Sequence, residues 1–325
     1  MSTDVRTWKW GGTAIEVGPV GIGCNAFGTR IDAARVRAVV DAAFDQGVVL
    51  FDTADVYGFG ASETLLGEAL RGRRDEVVVA TKFGMDMQGA NGDDGGRRGA
   101  AGYVRTAVEA SLRRLGTDVI DLYQFHTPDP GTPVEETLGA LSALVDEGLV
   151  RAVGCSNFAA WQLVDADWVS RTQGLAHFVT AQNEYSLYNP AAESELVPAC
   201  LSLGVGILPY FPLAYGLLTG KYRRDAEPAA GTRLAVQRAR WEGADWDRID
   251  ALQAFANERG LTLLEVAMGG LASRPAVASV IAGVSGPDQV VANVAAARWV
   301  PTQEDVTALD ALLEPGHGYT TFAPR

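Results

Sequence analysis

Four side chains invite a chemical reading before anything else in the chain: Asp52 and Tyr57 in the text FDTADVYG, Lys82 in VVVATKFG and His126 in DLYQFH. Each has an ordinary role open to it. Asp52 suits a turn cap, Tyr57 a core edge, Lys82 a snorkelling surface position and His126 a satisfied structural histidine. Taken together they suit something else. A lysine that directly follows VVVAT sits at a buried strand end and needs a negative partner, which Asp52 is placed to supply. Lys82, held charged in this way, is expected to favour tyrosinate at Tyr57 and to bring its normally high pKa toward working pH. A phenol so tuned gives and takes protons, while His126 orients a carbonyl oxygen or shares the proton.

Such a set needs a scaffold that brings distant parts of the chain to one rim. Short β-branched or apolar runs recur at 20–23, 48–51, 77–81, 120–125, 152–155, 178–182, 206–210 and 280–282, each followed by a longer stretch with helical spacing. VVLF, EVVVAT and VIDLYQF are nearly continuous apolar runs, as expected of parallel strands covered on both faces. Thr132-Pro133-Val134-Glu135 reads as a capping box with a proline at the first helical position, and Thr262 with Glu265 as another; Asn189-Pro190 and Ser285-Gly286-Pro287 read as proline-led helix starts. An open dinucleotide-binding sheet also fits the alternation, but it should show G-x-G-x-x-G after an early strand. Gly21-Ile22-Gly23-Cys24-Asn25 does not complete that fingerprint. The pattern therefore favours an α/β fold of the closed (β/α)8 TIM-barrel type, whose active sites lie at the C-terminal strand ends.

Asp52, Lys82 and His126 each close a strand in this reading, and Tyr57 follows Asp52 closely, so all four converge on one rim. The segment 8–17 around Gly11-Gly12 reads as an N-terminal β-hairpin. Residues 85–102, containing GANGDDGGRRGAAG, are expected to form a mobile loop after the third barrel strand. Residues 222–246 are expected to add loop and helix segments at the C-terminal face. The whole chain, 1–325, reads as a single domain.

Composition narrows the function from another side. The 325 residues, 47% hydrophobic and 21% charged, are enough for a large globular core. Lysine and arginine number 27 against 40 acidic residues, a net charge of −13. Such a surface repels nucleic acid and anionic membrane, so neither is expected as a partner, and an anionic ligand needs a local basic pocket. Cys24, Cys155 and Cys200 lie far apart without a Cys-x-x-Cys pair, which argues against a disulfide framework and a thiolate zinc site. No metal-ligand cluster is legible. The text MSTDVRTWKW lacks a signal pattern and no apolar run approaches the ~20 residues of a spanning helix, so a soluble cytoplasmic protein is expected.

The motifs around Asp52, Tyr57, Lys82 and His126 resemble, in order and in text, the tetrad of the aldo-keto reductase superfamily, nearest the branch that includes bacterial general reductases and potassium-channel β-subunits. The likeness covers roughly residues 10–315. It implies the (β/α)8 barrel, NADPH/NADP as cofactor and a small-molecule carbonyl substrate, with hydride passing to the carbonyl carbon while Tyr57 protonates the oxygen. It implies carboxamide contacts at Ser156, Asn157 and Gln182, ring stacking by Tyr210, and further cofactor contacts at Phe211, Leu213, Lys221 and Arg233. Gly283, Ser285, Gln289 and Asn293 match the adenosine clamp, at a helix N-terminus that favours an anion. Three departures bear on affinity: Phe211 stands where serine is common, Ala292 replaces an acidic residue, and Ala282 occupies a usual proline position.

Substrate contacts are expected from Asn25, Phe27, the loop 85–102, Tyr215 or Trp241, and the tail GHGYTTFAPR. Two other functions stay open. One is an NADPH-binding regulatory or sensor subunit; the other is a sugar or alcohol dehydrogenase running the same chemistry in reverse. The sequence leaves the oligomeric state open.

Overall fold

The computed structural model describes residues 7–11 and 13–313. A short antiparallel hairpin comes first, β1 (Trp8–Lys9) and β2 (Glu16–Val17), as its text leads one to expect. Eight parallel strands follow: β3 (Val20–Gly23), β4 (Leu50–Asp52), β5 (Val78–Phe83), β6 (Ile120–Phe125), β7 (Val150–Ser156), β8 (Thr180–Gln182), β9 (Gly206–Ile207) and β10 (Val280–Gly283). They pair in chain order, with β10 beside β3. The seam between the two ends of this series is bridged by backbone bonds from Ala278 N to Ile207 O (2.8 Å) and from Ile281 N to Pro209 O (2.9 Å). The result is a (β/α)8 barrel.

Helices α1 (Ala33–Asp45), α2 (Ala61–Ala69), α3 (Ala101–Leu115), α4 (Val134–Asp146), α5 (Ala160–Gln173) and α6 (Leu196–Leu203) coat the outside between successive strands. After β9 come two short helices, α7 (Arg233–Val236) and α8 (Arg238–Glu242), then α9 (Trp246–Glu258) and α10 (Leu263–Ala272). The series ends with α11 (Pro287–Ala296) and α12 (Gln303–Leu312). Leu217, Leu218, Tyr222 and Leu234 join α9, α10 and α12 in a second apolar cluster, which gives the expected extra segments a core of their own.

Inside the barrel the floor is apolar. Leu50, Ala80, Leu122, Ala152, Leu208 and Ile281 pack with Trp10, Ile15 and Val17 of the hairpin segment, which plugs this end. Two residues further along three of these strands the same inward face becomes polar: Asp52, Lys82 and Gln124 replace Leu50, Ala80 and Leu122. The strand period of two thus lifts the candidate residues onto a hydrophobic floor.

Several local expectations need correcting. β9 stops at Ile207 rather than running to Tyr210, because Pro209 has no amide to give the ladder. Thr132 makes no capping box: its hydroxyl donates to Asp129 Oδ2 (2.7 Å), and Pro133 is the N-cap of α4 instead of its first residue. Pro190 opens a single 3₁₀ turn, Ala191–Glu193, and α6 begins only at Leu196. The box of Thr262 and Glu265 at α10 and the proline start of α11 at Pro287 are present. The glycine-rich loop is pinned: Asn91 is buried, Arg98 pairs with Asp94 (2.6 Å), and Arg97 reaches Glu136 (2.7 Å). Among the described residues no helix is long and apolar enough to cross a membrane.

Candidate active site

Asp52 ends β4, Lys82 lies near the end of β5 and His126 follows β6, so three adjacent strands deliver them to one mouth. Lys82 is fully buried, its Nζ 2.7 Å from Asp52 Oδ2 and 2.8 Å from the Thr53 carbonyl oxygen, which accept its protons. The other Asp52 oxygen accepts from Gln124 Nε2 (3.1 Å) and Gln182 Nε2 (2.8 Å). A carboxylate with both oxygens occupied in this way is fixed in orientation as well as in charge. The Lys82 ammonium stands 5.1 Å from the Tyr57 ring centroid, within electrostatic reach of the phenol, and that ring meets His126 edge-on at 6.0 Å.

Burial sets the protonation states. Burial opposes the Lys82 charge, but Asp52 and then Tyr57 outweigh it and hold the lysine above its ordinary value. Tyr57 goes up, contrary to the expectation that Lys82 would bring it toward working pH. Burial of the phenol is the larger effect, and Lys82 offsets only part of it. His126 is driven well below its ordinary value by burial and then by the Lys82 charge. At neutral pH Lys82 is therefore an ammonium beside a neutral phenol and a neutral imidazole, an arrangement suited to giving a proton.

Beside it lie the expected carboxamide contacts. Ser156 closes β7 opposite Gln182 in β8, and the serine hydroxyl donates to the Gln182 carbonyl oxygen (2.8 Å). Asn157 is left-handed at φ 61°, its amide donating to the His126 carbonyl oxygen (2.8 Å) while its Oδ1 accepts from the Tyr210 hydroxyl (2.8 Å). A non-glycine residue held there is strained, and Asn157 is fixed from two sides. Gln182 has a role that spacing alone did not reveal, since its amide orients Asp52.

After β9 the chain turns sharply, with Phe211, Ala214 and Tyr215 all at positive φ. The Leu213 carbonyl oxygen accepts from Gly216 N (2.8 Å) and Leu218 N (3.2 Å), which knits this turn. Phe211 stacks edge-on to Tyr210 (5.1 Å), and its ring lies 4.3 Å from that of Tyr215. Arg233 covers both Phe211 and Tyr215, Arg240 lies 3.7 Å over Tyr215, and Lys221 sits against Tyr222. Burial and then the neighbouring Arg30 push the Arg233 guanidinium downward in pKa. Among the described residues Arg30, Lys221, Arg233 and Arg240 form no ion pair with a carboxylate, and Glu184 lies within electrostatic reach of Arg240.

At the β10–α11 corner Gln289 Oε1 accepts from Ser285 N (2.7 Å), and Asn293 is buried in α11. Gly283 faces Asn25, whose Oδ1 accepts from Arg30 (3.2 Å). Arg35 binds the Ser285 carbonyl oxygen (3.1 Å) and packs against Gly286, where a Cβ would stand 2.4 Å from its Nη2. This donor set fits a nicotinamide dinucleotide: amides near the phenol, a half-exposed aromatic, and cations along the rim.

Not every candidate reaches the mouth. Phe27 is fully buried in the core with Cys24, Val36 and Leu66, so its ring has no face left for a substrate. Trp241 is spent on the second cluster, its indole donating to the Arg223 carbonyl oxygen (3.1 Å) and meeting Trp246 edge-on. The tail GHGYTTFAPR lies outside the described residues. Sequence reading missed Gln124, Arg30 and Arg35. Gln124 was findable, because it stands two residues before His126 and so shares its face of the strand.

An eight-stranded barrel gathers a buried carboxylate, ammonium and imidazole with a half-buried phenol at its C-terminal mouth. The aldo/keto reductase family profile matches residues 19–314, and the chain belongs to this family. It is 34% identical over 300 residues to a probable voltage-gated potassium channel subunit beta of Oryza sativa subsp. japonica, covering 89% of this chain and 90% of the relative. It is 35% identical over 258 residues to probable aldo-keto reductase 1 of Glycine max, covering 76% and 72%. The holo form of an aldo-keto reductase from Bacillus halodurans superposes with a TM-score of 0.78 at 29% identity, over 96% of this chain and 97% of that one. Family and solved neighbour support a carbonyl oxidoreductase.

Proposed function

We propose that the protein is an NADPH-dependent reductase that converts an aldehyde or ketone to an alcohol, with Tyr57 as general acid. The observation that carries this reading is the neutral, half-buried phenol of Tyr57, set against a charged Lys82 that Asp52 holds in place. NADPH, when bound, supplies the hydride. Ser156, Asn157 and Tyr210 would hold its nicotinamide end, and Lys221, Arg233, Ser285, Gln289 and Asn293 its phosphate and adenosine end.

The chain's own residues then manage the carbonyl oxygen. Tyr57 donates its hydroxyl proton as negative charge develops there, and Lys82 stabilises the tyrosinate left behind. Gln124 and Gln182 keep Asp52 aimed at Lys82, so the ammonium does not reorient as the phenol changes charge. His126, neutral and edge-on to Tyr57, offers the oxygen a second donor. Asn25 and Tyr215 remain the substrate contacts of this proposal.

An NADPH-oxidation screen across aldehydes, ketones, keto-sugars and quinones tests it, and turnover of at least one carbonyl class is expected. The rice relative's name favours a second reading, a cofactor-binding regulatory subunit. Tight NADPH binding with no carbonyl turned over supports that reading against the first. Alcohol oxidation by the same residues needs the deprotonated phenol, the minor form at neutral pH when the Tyr57 pKa is raised, and initial rates measured in both directions separate this case.

A further inference from the structure

Behind the tetrad lies a second buried polar cluster that the proposed chemistry does not use. Glu63 in α2 is fully buried, accepting from the Thr81 hydroxyl (2.5 Å) on one oxygen and from Arg114 Nε (2.6 Å) on the other. Arg114, in the last turn of α3, also donates to Asn91 Oδ1 (2.9 Å), and Asn91 passes a bond from its amide to Asp55 Oδ2 (2.9 Å). Asp55 is itself fully buried, and its second oxygen has no partner.

The cluster brackets the catalytic turn. Asp55 stands two residues before Tyr57, and its amide donates to the Lys82 carbonyl oxygen (3.1 Å). Beyond Tyr57 the chain passes through Gly58, Phe59 and Gly60, all at positive φ, before entering α2 at Ala61. Gly60 lies under the Arg114 side chain, where a Cβ would come within 2.4 Å of Cδ. The Tyr57 carbonyl oxygen accepts from Ser62 N (3.2 Å), and the Ser62 hydroxyl donates to the Cys24 carbonyl oxygen (2.9 Å). Gly58 and Gly60 take positive φ freely, but Phe59 between them does so at a cost and holds only where the surroundings over-determine it. One guanidinium here touches the turn, the glycine-rich loop and α2 at once.

We propose that Glu63, Arg114, Asn91 and Asp55 form a clamp that positions Tyr57, so that the glycine-rich loop and the catalytic turn move as one body. These are positioning residues, acting through Tyr57 and not on substrate, and the inference rests on Tyr57 being the proton donor proposed above. The charge count in the clamp gives it a pH dependence. Glu63 bonds the Arg114 guanidinium and Asp55 reaches it through Asn91, and among the described residues the buried hydroxyls of Tyr103 and Tyr123 also lie within electrostatic reach of Asp55. Burial first and Glu63 second push Asp55 up to about 8, so it is protonated at neutral pH and its ionisation adds an uncompensated charge beside Glu63.

The test compares Asn91→Ala, Arg114→Met, Arg114→Lys and Asp55→Asn. Asn91→Ala and Arg114→Met should lower kcat about 10- to 100-fold, the scale of a misplaced reacting group, while the Kd for NADPH stays within about 2-fold. Arg114→Lys should restore part of the loss. The wild-type rate should fall as pH rises through the range where Asp55 ionises, and Asp55→Asn should remove that limb. Tyrosine labelled with ¹³C at Cζ, with the Tyr57 line assigned by Tyr57→Phe, reads the clamp without any substrate. That line should shift in Asn91→Ala and Arg114→Met and return toward its wild-type position in Arg114→Lys. A screen that finds no carbonyl turned over counts against the reductase reading alone, and the resonance then decides the clamp. An unmoved Tyr57 line in both Asn91→Ala and Arg114→Met overturns it, as does a loss of melting temperature with kcat and its pH profile unchanged.

Discussion

At the scale of the residue, chemistry follows from which charges are buried together. Lys82→Met removes the group that steadies the developing tyrosinate, so kcat should fall about 100- to 1,000-fold in steady-state assays, with NADPH affinity little changed. Asp55 links protonation to folding with a definite sign. Its folded pKa lies above the unfolded value of about 4, so the stability it contributes is full below that value and is lost progressively up to about pH 8. Thermal melts should therefore show Asp55→Asn gaining on the wild type from pH 5 to pH 8, and a constant difference across that range would contradict the assignment. The tetrad was legible from text because each member ends an apolar run or follows one closely. The direction of the Tyr57 shift was not, since it depends on how completely the phenol is buried, and spacing does not report depth.

At the scale of the element, two close approaches decide the geometry. α2 crosses α3 so tightly that a Cβ on Gly67 would stand 2.3 Å from the Leu115 carbonyl oxygen, a backbone atom that cannot swing away. Alanine normally stabilises a helix interior by up to ~1 kcal/mol over glycine. Here overpacking wins, and Gly67→Ala should cost about 1–3 kcal/mol in denaturant titration. An unchanged or higher midpoint would mean that the helices sit further apart. The strands were readable because continuous apolar runs and their spacing suffice to place them. Helix starts were read less well: the hydroxyl of Thr132 donates to Asp129 instead of accepting from an amide of α4, and no propensity rule ranks such competitors. Loop 85–102 looked free from composition, yet Asn91 ties it to Asp55 and Arg114 across 36 and 23 residues of sequence.

At the scale of the whole molecule, the excess of 40 acidic over 27 basic residues describes the exterior, while Arg30, Lys221, Arg233 and Arg240 gather at the mouth. The three cysteines follow the core. Cys24, Cys155 and Cys200 are buried free thiols, the first two pushed well above their ordinary value by burial and Cys200 to about 12. A thiol-specific reagent should therefore leave the native protein unlabelled over minutes and titrate all three after denaturation; rapid native labelling would contradict that packing. The central claim is that the half-buried phenol of Tyr57 delivers the proton to the oxygen of the carbonyl being reduced. It is tested most directly by single-turnover NADPH oxidation in wild type and Tyr57→Phe at saturating cofactor. The account predicts a loss of about 100- to 10,000-fold in rate with an unchanged Kd for NADPH, and a variant that reduces the carbonyl at the wild-type rate would contradict it.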